Sequence, residues 1–487
     1  MKIKNNLLSL MLATALSTAT STAISSQVWA QDSTDTDAVA ATAAPRAVNP
    51  GVYEKLDVFA HVLEKIRTSY VEQVTETEVI ENAINGMLTS LDPHSSYLKP
   101  EDFEDLQQTT KGEFGGLGIE VTMENGLVKV VSPIEDTPAA AAGLESGDYI
   151  IRLDNKDVQG LTLKDAVDKM RGAPGSKIKL TVFRESEKRT FAVTLDRAVI
   201  KVKPVKSKLM GNGIGYLRIT SFNDYTDNSM RDHLDQLQKA NKGPLSGLVI
   251  DLRNNPGGLL NQAIAVSDDF LQGGEIVSTR GRIEGQNSRY NARPGDVLDG
   301  KPIVVLINAG SASAAEIVAG ALQDQRRAVL VGTRSFGKGS VQTIFTLPGG
   351  AGMRLTTARY YTPSGRSIQA KGIQPDIMVK ALKLKKSDLD DDDDVNPSEA
   401  ALPKHLMGNK VAVVDEVSGT AKRTDLPASI FVEPKVKTPS DTLVNLEGKP
   451  DAQLDRAMSI IKTLVGTGQR TSGNATVVPA ADAKTAQ

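Results

Sequence analysis

The sequence predicts a multidomain α/β protein: an α/β core, a small β module inserted ahead of it, and an N-terminal helical segment. Three observations predict this. Apolar runs at Gly215–Ile219, Gly247–Leu252, Ile303–Ile307 and Ala328–Val331 alternate with helical stretches at Asn228–Lys239, Leu260–Leu271 and Ala314–Gln323, which indicates a mostly parallel sheet covered on both faces. Short β-branched runs separated by turn signals crowd into residues 112–197. Before them, Leu56, Phe59, Leu63, Ile66 and Tyr70 recur at helical spacing, as do Ile80, Ile84, Met87, Leu88 and Leu91. A length of 487 residues fits about three domains at the usual ~100–200 residues each.

Residues 1–30 read as an export signal. Lys2 and Lys4 precede an apolar stretch at Leu7–Leu16 that is too short to span a bilayer, and Val28-Trp29-Ala30 has the small–x–small form of a cleavage site. The expected destination is an envelope compartment, most simply the periplasm, with no integral span once the signal is removed. Residues 31–50, rich in Asp, Thr, Ala and Pro, have nothing to bury and read as a disordered linker. The N-terminal helical segment covers residues 51–111 and carries two amphipathic helices within Val52–Leu91, the second ended by Asp92-Pro93.

In the β module, residues 112–197, the expected strands are Leu117–Val121, Leu127–Val131, Tyr149–Leu153, Ile178–Phe183 and Thr190–Leu195, with helices at Thr137–Ala142 and Thr162–Met170. The core takes residues 198–385, where Val341–Leu347 and Met353–Tyr361 add strands around a turn at Pro348–Gly352. Six aspartates in Asp388–Asp394 open an acidic and polar linker region, residues 386–450, read as solvated rather than calcium-binding. A C-terminal helix at residues 451–466 and a disordered tail, 467–487, complete the chain.

Composition removes whole classes of chemistry. The chain has no Cys, so disulfides, thiolate zinc sites, Fe–S clusters and a thiol nucleophile are out. Four dispersed His residues give no zinc-hydrolase motif. A net charge of −2 offers no general attraction to nucleic acid or anionic lipid. Catalysis therefore rests on oxygen nucleophiles, carboxylates or lysine, with no metal and no cofactor expected.

Three blocks carry such groups. In Asn308-Ala-Gly-Ser-Ala-Ser-Ala-Ala-Glu316, between a strand and a helix, Ser313 and Glu316 have the S-x-x-E spacing of a capping box. The same turn can project a serine hydroxyl from the sheet edge, with the Ala314 amide beside it as an oxyanion donor, and the two readings are compatible. Gly332-Thr-Arg-Ser-Phe-Gly-Lys-Gly-Ser-Val-Gln342 nearly matches a phosphate-binding loop, but Gly339 stands where magnesium needs Ser or Thr, and a strand follows instead of a helix. A nucleotidase is disfavoured on both counts. As a general base, Lys338 must lose roughly three pKa units, about 4 kcal/mol against the ammonium, which burial away from anions can supply. Gln342, four positions on, can orient the amine without charging it. The alternative for Lys338 is an exposed lysine in a Gly-rich hairpin. In Asp251-Leu-Arg-Asn-Asn-Pro-Gly-Gly258, at a strand's C-terminal end, paired glycines leave backbone amides bare, as a second oxyanion donor requires, although a plain strand-to-helix turn looks similar.

Taken together, Leu252-Arg-Asn-Asn-Pro-Gly-Gly258, Gly310-Ser-Ala-Ser-Ala-Ala-Glu-Ile317 and Phe336-Gly-Lys-Gly-Ser-Val-Gln342 resemble the carboxyl-terminal processing (tail-specific) serine protease family with a PDZ domain. Met87-Leu-Thr-Ser-Leu-Asp-Pro-His-Ser95 and Tyr361-Thr-Pro-Ser-Gly-Arg366 fit the same family, so the likeness runs over roughly Val52–Lys383. The resemblance implies an α/β Ser–Lys protease core: Ser313 as nucleophile, Lys338 as general base, Gln342 as its orienter. The amides of Ala314 and of Gly257 or Gly258 would form the oxyanion hole. Ser311 is the competing serine, and Ala315 replaces a serine common in relatives.

The resemblance also makes residues 112–197 a PDZ domain. Gly115-Gly-Leu-Gly-Ile-Glu-Val121 matches the carboxylate-binding loop, with amides at Leu117, Gly118 and Ile119 for a chain terminus. Ile119, Val121, Val167 and Met170 would line the pocket for an apolar last side chain. Arg171, just after the PDZ helix, is the expected regulatory residue coupling PDZ position to the site. The implied partners are proteins or peptides with exposed C-termini, with an adaptor or activator and self-association left open. The alternative function is a PDZ scaffold or chaperone whose resting protease core needs an activator.

Overall fold

The computed structural model describes residues 50–134, 137–283, 285, 287–381, 398–408, 423–432 and 450–468, with isolated positions between 443 and 448. Residues 1–30, read above as an export signal, the stretch up to residue 49, the aspartate run and residues 469–487 lie outside the described residues. The chain divides into two units, Met1–Glu76 and Thr77–Gln487. In the first, helix Pro50–Ser69 leaves Val52, Tyr53, Leu56 and Phe59 exposed.

The second unit is a mixed α/β structure with an inserted β module, the expected PDZ domain. Its central six-stranded sheet has the order Val205–Leu209, Ile214–Ile219, Gly247–Asp251, Ile303–Ile307, Val329–Gly332, Ile377–Met378. All neighbours are parallel except the first pair, so the expected mostly parallel sheet is present with an antiparallel edge. Helices Thr226–Asn241, Leu260–Asp268 and Ala314–Asp324 bury one face, where Leu217, Leu248, Ile250, Val305 and Leu330 meet Leu234, Val266, Val318 and Leu322. The other face is covered by helix Ala452–Gly466, whose Leu454, Ala457, Met458, Ile461 and Leu464 pack on Tyr216, Val249, Val304 and Val331.

A second, antiparallel sheet joins Ser96–Leu98, Gly352–Tyr361, Glu275–Gly281 and Ser288–Asn291, with Ser340–Thr346 paired along Gly352–Tyr361. The PDZ domain pairs Ile119–Glu124, Leu127–Pro133, Tyr149–Leu153, Lys177–Arg184 and Arg189–Asp196 around a core of Val128, Val130, Ile150, Ala166, Ile178 and Val182. Its first strand starts two residues later than expected. Gly115 and Gly116 instead pair with Val199 and Ala198 in a short ribbon leading back to the core, and Gly118 turns the chain at φ +76°, where a Cβ would overlap Thr137.

Two features depart from the sequence reading. Helix Pro100–Lys111 lacks the periodicity of the two helices before it, because only Phe103 and Leu106 mark its apolar side. Within residues 386–450, read as a polar linker, some described residues are buried: Glu399 is fully buried, and Leu426 and Ile430 join the core that holds the C-terminal helix.

Candidate active site

The three blocks singled out from the sequence leave neighbouring strands of the central sheet at their C-terminal ends: Gly247–Asp251, Ile303–Ile307 and Val329–Gly332. Their loops meet in a cleft of about 890 Å³ lined by Gly257, Gly258, Ser313, Lys338, Gln342, Arg354 and Tyr360, among others. Open α/β sheets gather ligands at such strand ends.

Ser313 occupies φ +53°, ψ −113°, a backbone conformation that costs a non-glycine residue on the order of 1–3 kcal/mol. The strain is held in place from both sides. The Ser313 amide donates to the Glu316 carboxylate at 2.8 Å, and the preceding Ala312 amide donates to the Asn255 carbonyl at 2.9 Å. Gly257 lies so close that a Cβ would come within 2.8 Å of the Ser313 Cβ. Ser311 has a different job. It is fully buried, donates its hydroxyl to the Leu252 carbonyl at 2.8 Å and accepts from the Asn308 amide at 3.0 Å, so of these two serines Ser313 is the one on the cleft.

Of the two candidate glycine amides, that of Gly257 is already spent on the Asn255 side chain at 2.9 Å. The Gly258 and Ala314 amides make no hydrogen bond among the described residues. Ala314 is the first residue of its helix, where the amide has no intrahelical acceptor. Gly258 has φ +142°, and Phe222 holds its neighbours: the Phe222 amide donates to the Gly257 carbonyl, and the Leu259 amide donates to that of Phe222. A Cβ on Gly258 would sit 2.0 Å from the Phe222 oxygen, so only glycine fits.

Glu316 is the residue whose importance the sequence understated. As a capping-box partner it was read locally, yet it is fully buried and accepts four hydrogen bonds. Two hold the Ser313 and Lys338 segments together, from the amides of Ser313 at 2.8 Å and Lys338 at 2.9 Å. Two more come from the Gly337 amide at 2.7 Å and the Ser335 hydroxyl at 2.5 Å. Burial pushes this carboxyl up to about 7 against the pull of its four donors, so at alkaline pH it is ionised and serves all four.

Burial also pushes the Lys338 amine below the ordinary lysine value, and the Arg354 guanidinium adds to the effect, outweighing Glu399, Glu316 and Asp92. Behind the lysine loop, Glu399 lies 2.8 Å from His94 Nε2 and accepts from Gln369 at 2.9 Å, while the Gln369 oxygen accepts from the Gly339 amide at 3.0 Å. No hydrogen bond joins Ser313 Oγ to Lys338 Nζ, or Lys338 to Gln342, among the described residues. The Gln342 amide nitrogen donates to Ser340 Oγ at 2.9 Å, which leaves its oxygen as an acceptor.

The segment leading to Gly257 and Gly258 is anchored from the far end of the chain. Asp251, fully buried, receives Tyr216 Oη at 2.7 Å and the Arg253 guanidinium at 2.6 Å; Arg253 in turn grips Asp451 at 2.7 and 2.8 Å. Asp451 caps the C-terminal helix.

The PDZ groove, about 170 Å³, is lined by all six residues expected there, Leu117, Gly118, Ile119, Val121, Val167 and Met170, together with Phe114 and Arg171. Arg171 and Phe114 line the catalytic cleft as well. The Arg171 guanidinium lies 5.3 Å from the Phe114 ring and donates to Asp105 at 3.0 Å. Among the described residues, no group of three or more His, Asp or Glu side chains is placed to hold a metal, and no helix is long and apolar enough to cross a membrane.

A strained serine and a half-buried lysine on one cleft, with a PDZ domain beside them, define a serine-type peptidase. Residues 213–379 match Peptidase family S41, residues 115–195 a PDZ domain, and residues 13–102 the activating protease CtpB N-terminal domain. The chain is 52% identical over 370 residues to a carboxy-terminal-processing protease of Bartonella bacilliformis, covering 76% of this chain and 84% of that one. It is 36% identical over 327 residues to the carboxy-terminal processing protease CtpA of Bacillus subtilis, covering 67% and 69%. The chain belongs to this family, the S41 carboxy-terminal-processing proteases, and carries its PDZ domain.

Proposed function

We propose that this protein is an exported endopeptidase of the periplasm that captures protein C-termini in its PDZ groove and cleaves by a Ser313–Lys338 dyad. The neutral Lys338 amine takes the Ser313 proton as Oγ attacks the scissile carbonyl. The amides of Gly258 and Ala314 hold the oxyanion, with Gly257 shaping the turn. The resulting ammonium passes its proton to the leaving amine, and an acyl-enzyme remains on Ser313. Lys338 then takes a proton from the attacking water and returns one to Ser313 as the acyl group leaves. Gln342 orients the amine through its free carboxamide oxygen. The observation that carries this reading is the pairing of a strained serine with a desolvated lysine, whose two segments are tied to one buried carboxylate, Glu316.

The missing Ser313–Lys338 bond favours a second state, in which the core rests until an activator or a bound tail repositions it. Arg171, which lines groove and cleft together, is the proposed coupling residue. Arg171→Ala should then differ from wild type in its stimulation by tail peptide; equal stimulation would remove it from the route. The test of the main reading compares wild type with Ser313→Ala on an unstructured protein with an apolar C-terminus, free or capped as an amide. Cleavage lost in the variant and slowed by the cap supports the proposal; cleavage by Ser313→Ala contradicts it.

A further inference from the structure

The catalytic cleft is charged on one side only. Among the described residues, three basic ones line it, Arg171, Lys338 and Arg354, and no Asp or Glu does. Arg171 is paired with Asp105, and Lys338 is desolvated toward its neutral form. Arg354 has no carboxylate at ion-pair distance among the described residues. The nearby acids are committed elsewhere. Asp92 accepts from the amides of His94 and Ser95 and from the hydroxyls of Ser95 and Thr356, at 2.7–3.0 Å. Glu399 is taken by His94 and Gln369.

Arg354 is nevertheless held in place. It stands on strand Gly352–Tyr361 between Ile344 and Ser96 in the register. Its Nε donates to the His94 carbonyl at 3.0 Å, in a loop whose Asp92 and Ser95 are buried. That bond fixes the guanidinium plane and leaves both Nη groups without a partner among the described residues. A planar, permanently charged fork fixed at its Nε end is suited to a carboxylate, and its side-chain entropy cost is already met. A cation in a cleft with no acid among its described lining residues also repels basic substrate residues.

We propose that Arg354 is a specificity-determining residue whose free Nη edge receives an Asp or Glu side chain of the substrate beside the scissile bond. The substrate class is thus an unfolded tail with an acidic residue flanking the cleavage point. This rests on the protease reading above, deepening it rather than replacing it.

The test uses the full chain and unstructured tail substrates with one common C-terminus, differing by Asp, Asn or Lys at each of the three positions on either side of the mapped cleavage point. Rates are taken on the alkaline plateau, so that any change in Lys338 protonation drops out. At one position kcat/KM for Asp should exceed that for Asn by about tenfold, with Lys lowest. Arg354→Gln should bring the Asp-to-Asn ratio to about one, and Arg354→Glu should favour Lys over Asp. Arg354→Lys, which keeps charge without the fork, should retain part of the preference. Ratios within twofold at every position in wild type, or a preference unchanged in Arg354→Gln, would overturn the assignment. Because Ser313-dependent cleavage of the Asn substrates is read in the same assay, loss of the preference and loss of the protease reading are separate results.

Discussion

The PDZ groove and the catalytic cleft share Phe114 and Arg171 but are built on opposite plans. The groove is apolar and local: one glycine turn, one strand and one helix within residues 114–171 supply its lining. The cleft is assembled from segments more than two hundred residues apart and is braced by buried polar groups, with Glu316 at its centre and Glu399, Gln369 and Asn255 around it. Losing a side chain from the groove removes only contact area. Losing one from the cleft's brace strands several buried donors, each worth on the order of 1–3 kcal/mol. The two regions should therefore fail differently.

The largest effect should come from the reacting groups. Ser313→Ala and Lys338→Met should each lower kcat/KM by on the order of 10⁴-fold or more, while a tail peptide binds the groove as before, measured by calorimetry. Next is the brace. Glu316→Gln keeps the shape but replaces an acceptor with a donor, so it should lower kcat by roughly 10²-fold with little change in KM and should reduce the melting temperature. A KM effect alone would mean that Glu316 shapes binding rather than the dyad.

The groove should respond more mildly. Val167→Ala should raise KM for a protein with an apolar tail by about tenfold and leave cleavage of a short amide-capped peptide alone. The smallest effect is expected at Ser311. Ser311→Ala strands the Asn308 amide and should cost about 1–2 kcal/mol of stability while the serine-dependent reaction persists. If Ser311→Ala and Ser313→Ala were equally inactive although folded, the assignment of the nucleophile would need revision.

The pH dependence has a definite sign. The amine works unprotonated and its pKa is depressed, so kcat/KM should rise with pH and level off before the pH at which a free lysine would titrate. Arg354→Gln removes a charge that helps the depression, so its rising limb should move to higher pH. On the acid side, protonating Glu316 near pH 7 removes one of its acceptor positions and should slacken the lysine loop in the same direction.

The same contrast explains what could be read from the sequence. The strand segments and their mostly parallel arrangement follow from apolar runs, and the compact motifs and turn glycines point to Ser313, Lys338 and the six groove residues. Helix Pro100–Lys111 had its end signals, a proline start, early acids and Gly112 beyond, but too little apolar periodicity to register. The roles of Glu316 and Glu399 depend on which loops converge after folding. Glu316 had a sufficient local explanation as a cap, and Glu399 follows an aspartate run that draws attention to solvent. Gly257 and Gly258 were equivalent on paper; only the Asn255 side chain, donated to by one of them, separates them.

The central claim is that an uncharged Lys338 activates Ser313. It is tested most directly by labelling with a fluorophosphonate probe across pH 6–10, with the modified residue located by mass spectrometry. The account predicts labelling of Ser313 at a rate that climbs with pH in wild type and is nearly absent in Lys338→Met. Undiminished, pH-independent labelling of Ser313 in Lys338→Met would contradict it.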